Sequence, residues 1–191
     1  FDDGSLYSWG ENGQGQLGLG TTINNYVPTR VAGLPKIKDF AFGRDFSLAL
    51  AADGTVWKWG SGVSVATQLS TTGIKAIAAK TGCCSSSNYY LLKEDGSVLS
   101  GSSTMAGLNN IKQIKAGYNH LLALDENGIV WAYGSNNHGQ LGYGQDTDSV
   151  SSPVQVSKIT NIKSIEAGLY QSFAIDDDDQ LFSWGYNEYG Q

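Results

Sequence analysis

Two histidines (His120 and His138), one cysteine pair (Cys83 and Cys84) and a run of four aspartates (Asp176 to Asp179) are the residues of this 191-residue chain best suited to chemistry. Nucleophilic catalysis needs a nucleophile within reach of an oriented base. His120 takes a position that Phe46, Asn88 and Gln171 fill in related segments, and His138 lies in a Gly-rich loop, so both read as structural. Calcium gathers about six to eight oxygens, whereas adjacent residues entering a hairpin point in alternating directions, so the aspartates read as a solvated turn. Neighbouring Cα atoms are about 3.8 Å apart, short of the usual disulfide range of about 4.4–6.8 Å, which predicts two free thiols at Cys83 and Cys84. The loop "GENGQGQLG" from Gly10 is followed by no helix and lacks the Lys-Ser/Thr of a phosphate-binding loop. No catalytic, cofactor-binding or metal-ligating set is predicted.

Recognition chemistry is better supplied. Tyr118, Tyr170, Tyr186 and Tyr189 follow predicted strand ends, and large amphipathic side chains on loops of a rigid scaffold suit protein recognition. Trp57, Trp59, Trp131 and Trp184 fall inside predicted strands and read as packing between sheets.

The elements that position these residues are repeated ones. "IKDFAFG" from Ile37, "IKAIAAKTG" from Ile74, "IKQIKAG" from Ile111 and "IKSIEAG" from Ile162 each predict a first strand. A second strand follows at Phe46 to Leu50, Asn88 to Leu92, His120 to Leu124 and Gln171 to Ile175. It leads into Asp53-Gly54, Asp95-Gly96, Asn127-Gly128 and the variant Asp178-Asp179. Asp-Gly and Asn-Gly between apolar runs predict hairpins with a type I′ turn, which needs positive φ at both central residues. A third strand then occurs five times, beginning at Ser5, Thr55, Ser97, Ile129 and Gln180. Some copies continue into a long loop, "GENGQGQLG" from Gly10, "GSNNHGQLG" from Gly134 and "GYNEYGQ" from Gly185, whose Asn and Gln would hold sheet against sheet. A Pro-led outer edge strand is expected after the complete loops, at Pro28 and Pro153. The two central repeats, without that loop, are expected to be trimmed.

Antiparallel sheets of three to four strands at this period predict an all-β chain of β-propeller blades. The pattern G-x-x-[H/F]-x-L-x-L-x-x-[D/N]-G-x-V-W-x-[W/Y]-G-x-N-x-x-G-Q-L-G resembles the repeat of the regulator of chromosome condensation family, and the likeness covers essentially the whole chain. The expected division is one propeller segment, 1–191, with repeats 1–36 (partial), 37–73, 74–110, 111–161 and 162–191 (partial). The resemblance implies a ring of about seven blades, so about four repeats would make an open arc or part of such a ring, continuing past Gln191. It would expose Leu6 and Tyr7 at one end and Leu181 and Phe182 at the other, and it would be prone to self-association.

The formal charge of −6, with only 12 Lys and Arg, disfavours direct nucleic-acid binding. No apolar run reaches the ~18 residues of a membrane span, and no signal peptide is visible. Few cysteines, much Gly, Ser, Asn and Tyr and no Asn-x-Ser/Thr acceptor suit a bacterial secreted or surface protein, with the cytoplasm as the alternative. The expected function is a non-enzymatic scaffold that binds a protein partner through variable hairpin tips brought to one rim: Arg44 and Asp45, Cys83 to Ser87, Tyr118 and Asn119, and Leu169 and Tyr170. The resemblance implies two alternatives, a guanine-nucleotide exchange factor for a small GTPase with chromatin association, or part of a larger enzyme or hydrolase inhibitor.

Overall fold

The computed structural model describes residues 3–82 and 89–190, which form antiparallel sheets with no helix among them. The chain divides into two compact units, Phe1–Ile77 and Ala78–Gln191. Cys83 and Cys84, and with them the tip from Cys83 to Ser87, lie outside the described residues.

Unit 1 contains a two-stranded sheet, β1 (Tyr7–Gly10) with β2 (Asn25–Arg30). A four-stranded sheet follows, formed in chain order by β3 (Ile37–Phe42), β4 (Phe46–Ala51), β5 (Val56–Gly60) and β6 (Val63–Gln68). The next sheet comprises β7 (Ile74–Ala79), within which the boundary between units falls, β8 (Tyr89–Lys93), β9 (Val98–Ser100) and β10 (Ser103–Thr104). Unit 2 continues with β11 (Ile111–Ala116), β12 (His120–Asp125), β13 (Val130–Ser135) and β14 (Ser149–Gln155) in one sheet. A three-stranded sheet, β15 (Ile162–Ala167), β16 (Gln171–Asp176) and β17 (Leu181–Gly185), completes it.

In the sheets that contain β4, β12 and β16, that second strand is the most buried. β4 and β12 are buried at every residue, which is why "FSLALA" and "HLLALD" read as apolar runs with little alternation: both faces are covered. In unit 2, Leu122, Leu124, Val130 and Leu141 of one blade and Ile162, Ile165 and Ala174 of the next form one core cluster. The Ile-Lys opening of the first strands is a bulge. Pairing shifts register between Ile37 and Asp39, Ile111 and Gln113, and Ile162 and Ser164, so each intervening Lys is left out of the ladder.

Three expectations need correction. The Asp-Gly hairpins are not type I′ turns. Gly54 has φ +83°, but Asp53 is not left-handed; Gly54 N–H donates to Ala51 O and Ala51 N–H to Thr55 O. This is a three-residue loop, a type I turn closed by one left-handed residue, and it recurs with Gly96, Gly128 and Asp179 in the left-handed place. The central repeats are not trimmed to three strands, because a tight connection at Ser61-Gly62 or Gly101-Ser102 returns the chain as β6 or β10. Pro28 and Pro153 lie inside β2 and β14 rather than leading them. Each falls where pairing is interrupted, between Asn25 and Thr29 or between Val150 and Val154, so its missing N–H costs no ladder bond.

Unit 1 carries a cleft of about 820 Å³ between β1 and β3, lined in part by Trp9, Phe40 and Phe42. Trp9 is 58% exposed. Leu6 and Tyr7 are half-buried; in unit 2, Leu181 is exposed and Phe182 half-buried.

Candidate binding rim

Antiparallel strands place successive connections at opposite ends of a sheet. The β11–β12 hairpin and the long loop after β13 therefore lie at one end, with the β12–β13 turn at the other; the same holds for the β15–β16 hairpin and the loop after β17. In unit 2 the hairpin tips at that end are tied edge to edge by backbone bonds: Gly82 N–H to Tyr118 O (2.7 Å) and Tyr118 N–H to Leu169 O (2.9 Å).

Each loop is in turn tied to its own tip. Gly134 and Gly185 bring the chain against the tip carbonyls, and the next N–H donates to them: Ser135 to Asn119 O and Tyr186 to Tyr170 O, each 3.0 Å. Gly185 has φ +104°, and a Cβ there would stand 2.3 Å from Tyr170 O, so only glycine permits the approach.

The loops themselves are rigidly held. Asn136 is buried; its Oδ1 accepts Leu141 N–H (3.0 Å) and its Nδ2 donates to Gln145 O (3.0 Å). Gln140 O then accepts both Trp184 Nε1–H (2.9 Å) and Ser172 Oγ–H (2.7 Å) of the next blade. Unit 1 repeats the device, with Asn12 bonded to Leu17 N–H and Gln16 O accepting from Trp59 and Ser47. The predicted clamp is thus real, although the carbonyl rather than the amide of the Gln carries it. Trp59 and Trp184 serve between blades as expected, whereas Trp57 and Trp131 reach their own turns, at Thr55 and Asp125.

This framework assembles an aromatic cluster. Tyr118 and Tyr170 have ring centroids 5.1 Å apart; His138 lies 4.8 Å from Tyr170 and 5.0 Å from Tyr186; Tyr186 is 6.2 Å from Tyr189. Interplanar angles run from 50° to 79°, so these are tilted or edge-on contacts rather than stacks. Leu169 is 55% and Tyr189 87% exposed, and His138 is exposed. Tyr186 donates its hydroxyl to Glu188 Oε2 (2.6 Å), a bond that raises the phenol's pKa.

Of the residues singled out in the sequence, Tyr118, Asn119, Leu169 and Tyr170 come together here, with Asn119 supplying a backbone anchor. Arg44 and Asp45 lie in unit 1, where they form an exposed 3.9 Å ion pair and Asp45 O accepts Ser61 N–H. His138 was missed. Its loop position is that of Tyr189 in the next copy, a recognised candidate, and that equivalence was the available signal.

Among the described residues, His120, Asp125 and Asp176 are buried and hydrogen-bonded within the fold. His120 is fully buried, with Nε2 3.1 Å from Ser172 Oγ. Because Ser172 gives its proton to Gln140 O, the network assigns the His120 proton to Nε2 and leaves Nδ1 without a hydrogen-bond partner. Burial pushes the His120 pKa down to about 4, offset in part by the Gln171 backbone. Asp176 departs from the solvated-turn reading: it is buried, and its Oδ1 accepts the N–H groups of Asp178 and Gln180. Asp125 does the same for Asn127 and Ile129. Among the described residues no group of three or more His, Cys, Asp or Glu is placed to hold a metal, and no helix is long and apolar enough to cross a membrane.

Comparison with known proteins gives a consistent picture. Models of the regulator of chromosome condensation (RCC1) repeat match residues 3–50 and 127–175, and, in a second form, 111–140 and 162–191. The chain is 28% identical to the ultraviolet-B receptor UVR8 of Arabidopsis thaliana, over 99% of this chain and 39% of UVR8. It is 29% identical to the human E3 ubiquitin-protein ligase HERC2, over 99% of this chain and 5% of HERC2. The chain therefore spans well under half the length of these relatives. The structure of Prp20p from Saccharomyces cerevisiae superposes with a TM-score of 0.82 at 23% identity, over 98% of this chain and 54% of that one. A yeast RCC1 (Prp20) structure with Kap60 bound gives 0.84 at 23%, over 98% and 53%. At that identity the likeness shows the fold, that of β-propeller blades. These relatives are eukaryotic and lend no support to a bacterial, secreted origin.

Proposed function

Because this chain belongs to the regulator of chromosome condensation (RCC1) repeat family, we propose that it works as a binding scaffold whose unit 2 rim grips a protein partner. The observation that carries the reading is the cluster of Tyr118, His138, Tyr170, Tyr186 and Tyr189 on loops rich in Gly and Asn. Tyrosine offers large contact area at low entropic cost, and Gly, Asn and Ser supply adaptable hydrogen bonds; protein-recognition loops favour this composition. Solved relatives support it, since Kap60 is bound to yeast RCC1 and Prp20p is described as binding Gsp1p and histones.

The test is partner capture by variants of the two ends. Alanine at both Tyr118 and Tyr170 is expected to weaken capture at least about tenfold, the scale of losing two central aromatic anchors. Alanine at Glu126 and Asp178, at the opposite end, is expected to leave it unchanged. Capture lost only in the second pair would place the interface on the other face.

A further inference from the structure

We propose that the unit 2 rim receives an arginine side chain from a protein partner, seated against Tyr170, Tyr186 and His138 and held by Glu188. This rests on the rim being the interface and adds the chemistry of what it binds.

Charge is the first argument. Unit 1 has six Lys and Arg against six Asp and Glu, whereas unit 2 has six against twelve and so carries the whole net charge of −6. The unit 2 segments around the aromatic cluster, 117–119, 135–148, 168–170 and 185–190, contain no Lys or Arg, but they do contain Asp146, Asp148 and Glu188; Lys80 stands beside the neighbouring tip at Gly82. A surface with that balance selects a basic partner and repels an acidic one.

Ring geometry is the second. The faces of tyrosine rings attract cations within about 6 Å of the centroid, and arginine is the commoner guest because its planar guanidinium also stacks. Parallel stacking would cover a face of both rings in each pair, whereas the contacts among Tyr170, His138 and Tyr186 are tilted, at 59°, 60° and 79°, and occupy at most one ring face per pair. Tyr186 also donates its hydroxyl to Glu188. That bond pushes electron density into the ring and sets a carboxylate beside it, so the π face and the counter-charge reinforce each other at one place. A carboxylate and a flat π surface together match a guanidinium better than a spherical ammonium.

The experiment titrates the full chain with acetylated, amidated Gly-Ser peptides that differ only in carrying two arginines, two lysines or two citrullines, followed by NMR of the ring signals. The expected result is saturable shifts at Tyr170, Tyr186 and His138. The arginine peptide should bind about tenfold more tightly than the citrulline peptide, which keeps the shape and loses the charge. Glu188→Gln should reduce the arginine affinity about threefold while the Tyr186 signals stay dispersed. Lysine matching arginine, citrulline within twofold of arginine, shifts confined to Asp177–Asp179, or no saturable shift would each overturn the inference. If these arms fail while alanine at Tyr118 and Tyr170 still abolishes capture, the rim stands as an interface and only its arginine preference falls.

Discussion

The two units build their rims with the same backbone and furnish them differently. In unit 1 Ser61 N–H donates to Asp45 O at 2.6 Å; in unit 2 Tyr186 N–H donates to Tyr170 O at 3.0 Å. Gly60 and Gly185 both stand where a Cβ would lie 2.3 Å from the tip carbonyl. On this shared frame unit 1 displays Gln14, Arg44, Asp45 and Ser61, an assortment whose charges satisfy each other. Unit 2 displays His138, Leu169, Tyr170 and Tyr186 at the same repeat positions. Glycines and carbonyls thus fix where a tip residue stands, and the tip residues alone decide what it can bind.

Removing the glycine that both rims share should have the largest effect. Gly185→Ala and Gly60→Ala each force a Cβ into a carbonyl at positive φ, and each is expected to cost about 3 kcal/mol or more. Urea melts would measure both. Similar losses in the two variants support a common frame, and a tolerated Gly185→Ala would mean that the rim is not fixed by that approach.

Acid should act next most strongly, and on unit 2. His120 in the unfolded chain takes up a proton near 6.5, but in the fold only near 4, so stability falls as pH drops through that window. The loss amounts to roughly 3 kcal/mol at the acid end. His120→Phe, which installs the residue that unit 1 carries at Phe46, should flatten the dependence between pH 6.5 and 4. An unaltered pH profile in that variant would refute the assignment.

The smallest effect concerns the turns. Asp179 holds the left-handed place, φ +64°, that Gly54, Gly96 and Gly128 hold elsewhere, and it pairs with Lys163 at 2.5 Å. Asp179→Gly trades backbone strain against an exposed ion pair, so its melting midpoint should stay close to that of the parent, with or without calcium. A calcium-dependent stability that vanishes in this variant would reveal a metal site at the aspartate run.

The strands and hairpins were legible because burial imposes period and tight turns demand Gly. The turn type was not: Asp-Gly serves both a two-residue type I′ loop and the three-residue loop found here, and only the bond from Ala51 N–H to Thr55 O tells them apart. Asp176 looked solvated because its three neighbours are, although its own carboxylate turns inward to the Asp178 and Gln180 amides. Tyr118 and Tyr170 could be picked out as loop aromatics, but their contact depends on the bond between Tyr118 N–H and Leu169 O, across blades whose repeats are offset by 51 residues, from Gly117 to Gly168. His138 was hidden by its setting: the surrounding loop is structural, and the side chain is not.

A benzophenone photo-crosslinker placed at Tyr170 or at Asp178 in the full chain, with the adducts identified by mass spectrometry, reads which end of unit 2 meets the partner. One partner protein is expected to crosslink from Tyr170 and none from Asp178. Adducts from Asp178 with none from Tyr170 would contradict the assignment of the interaction surface to the unit 2 rim.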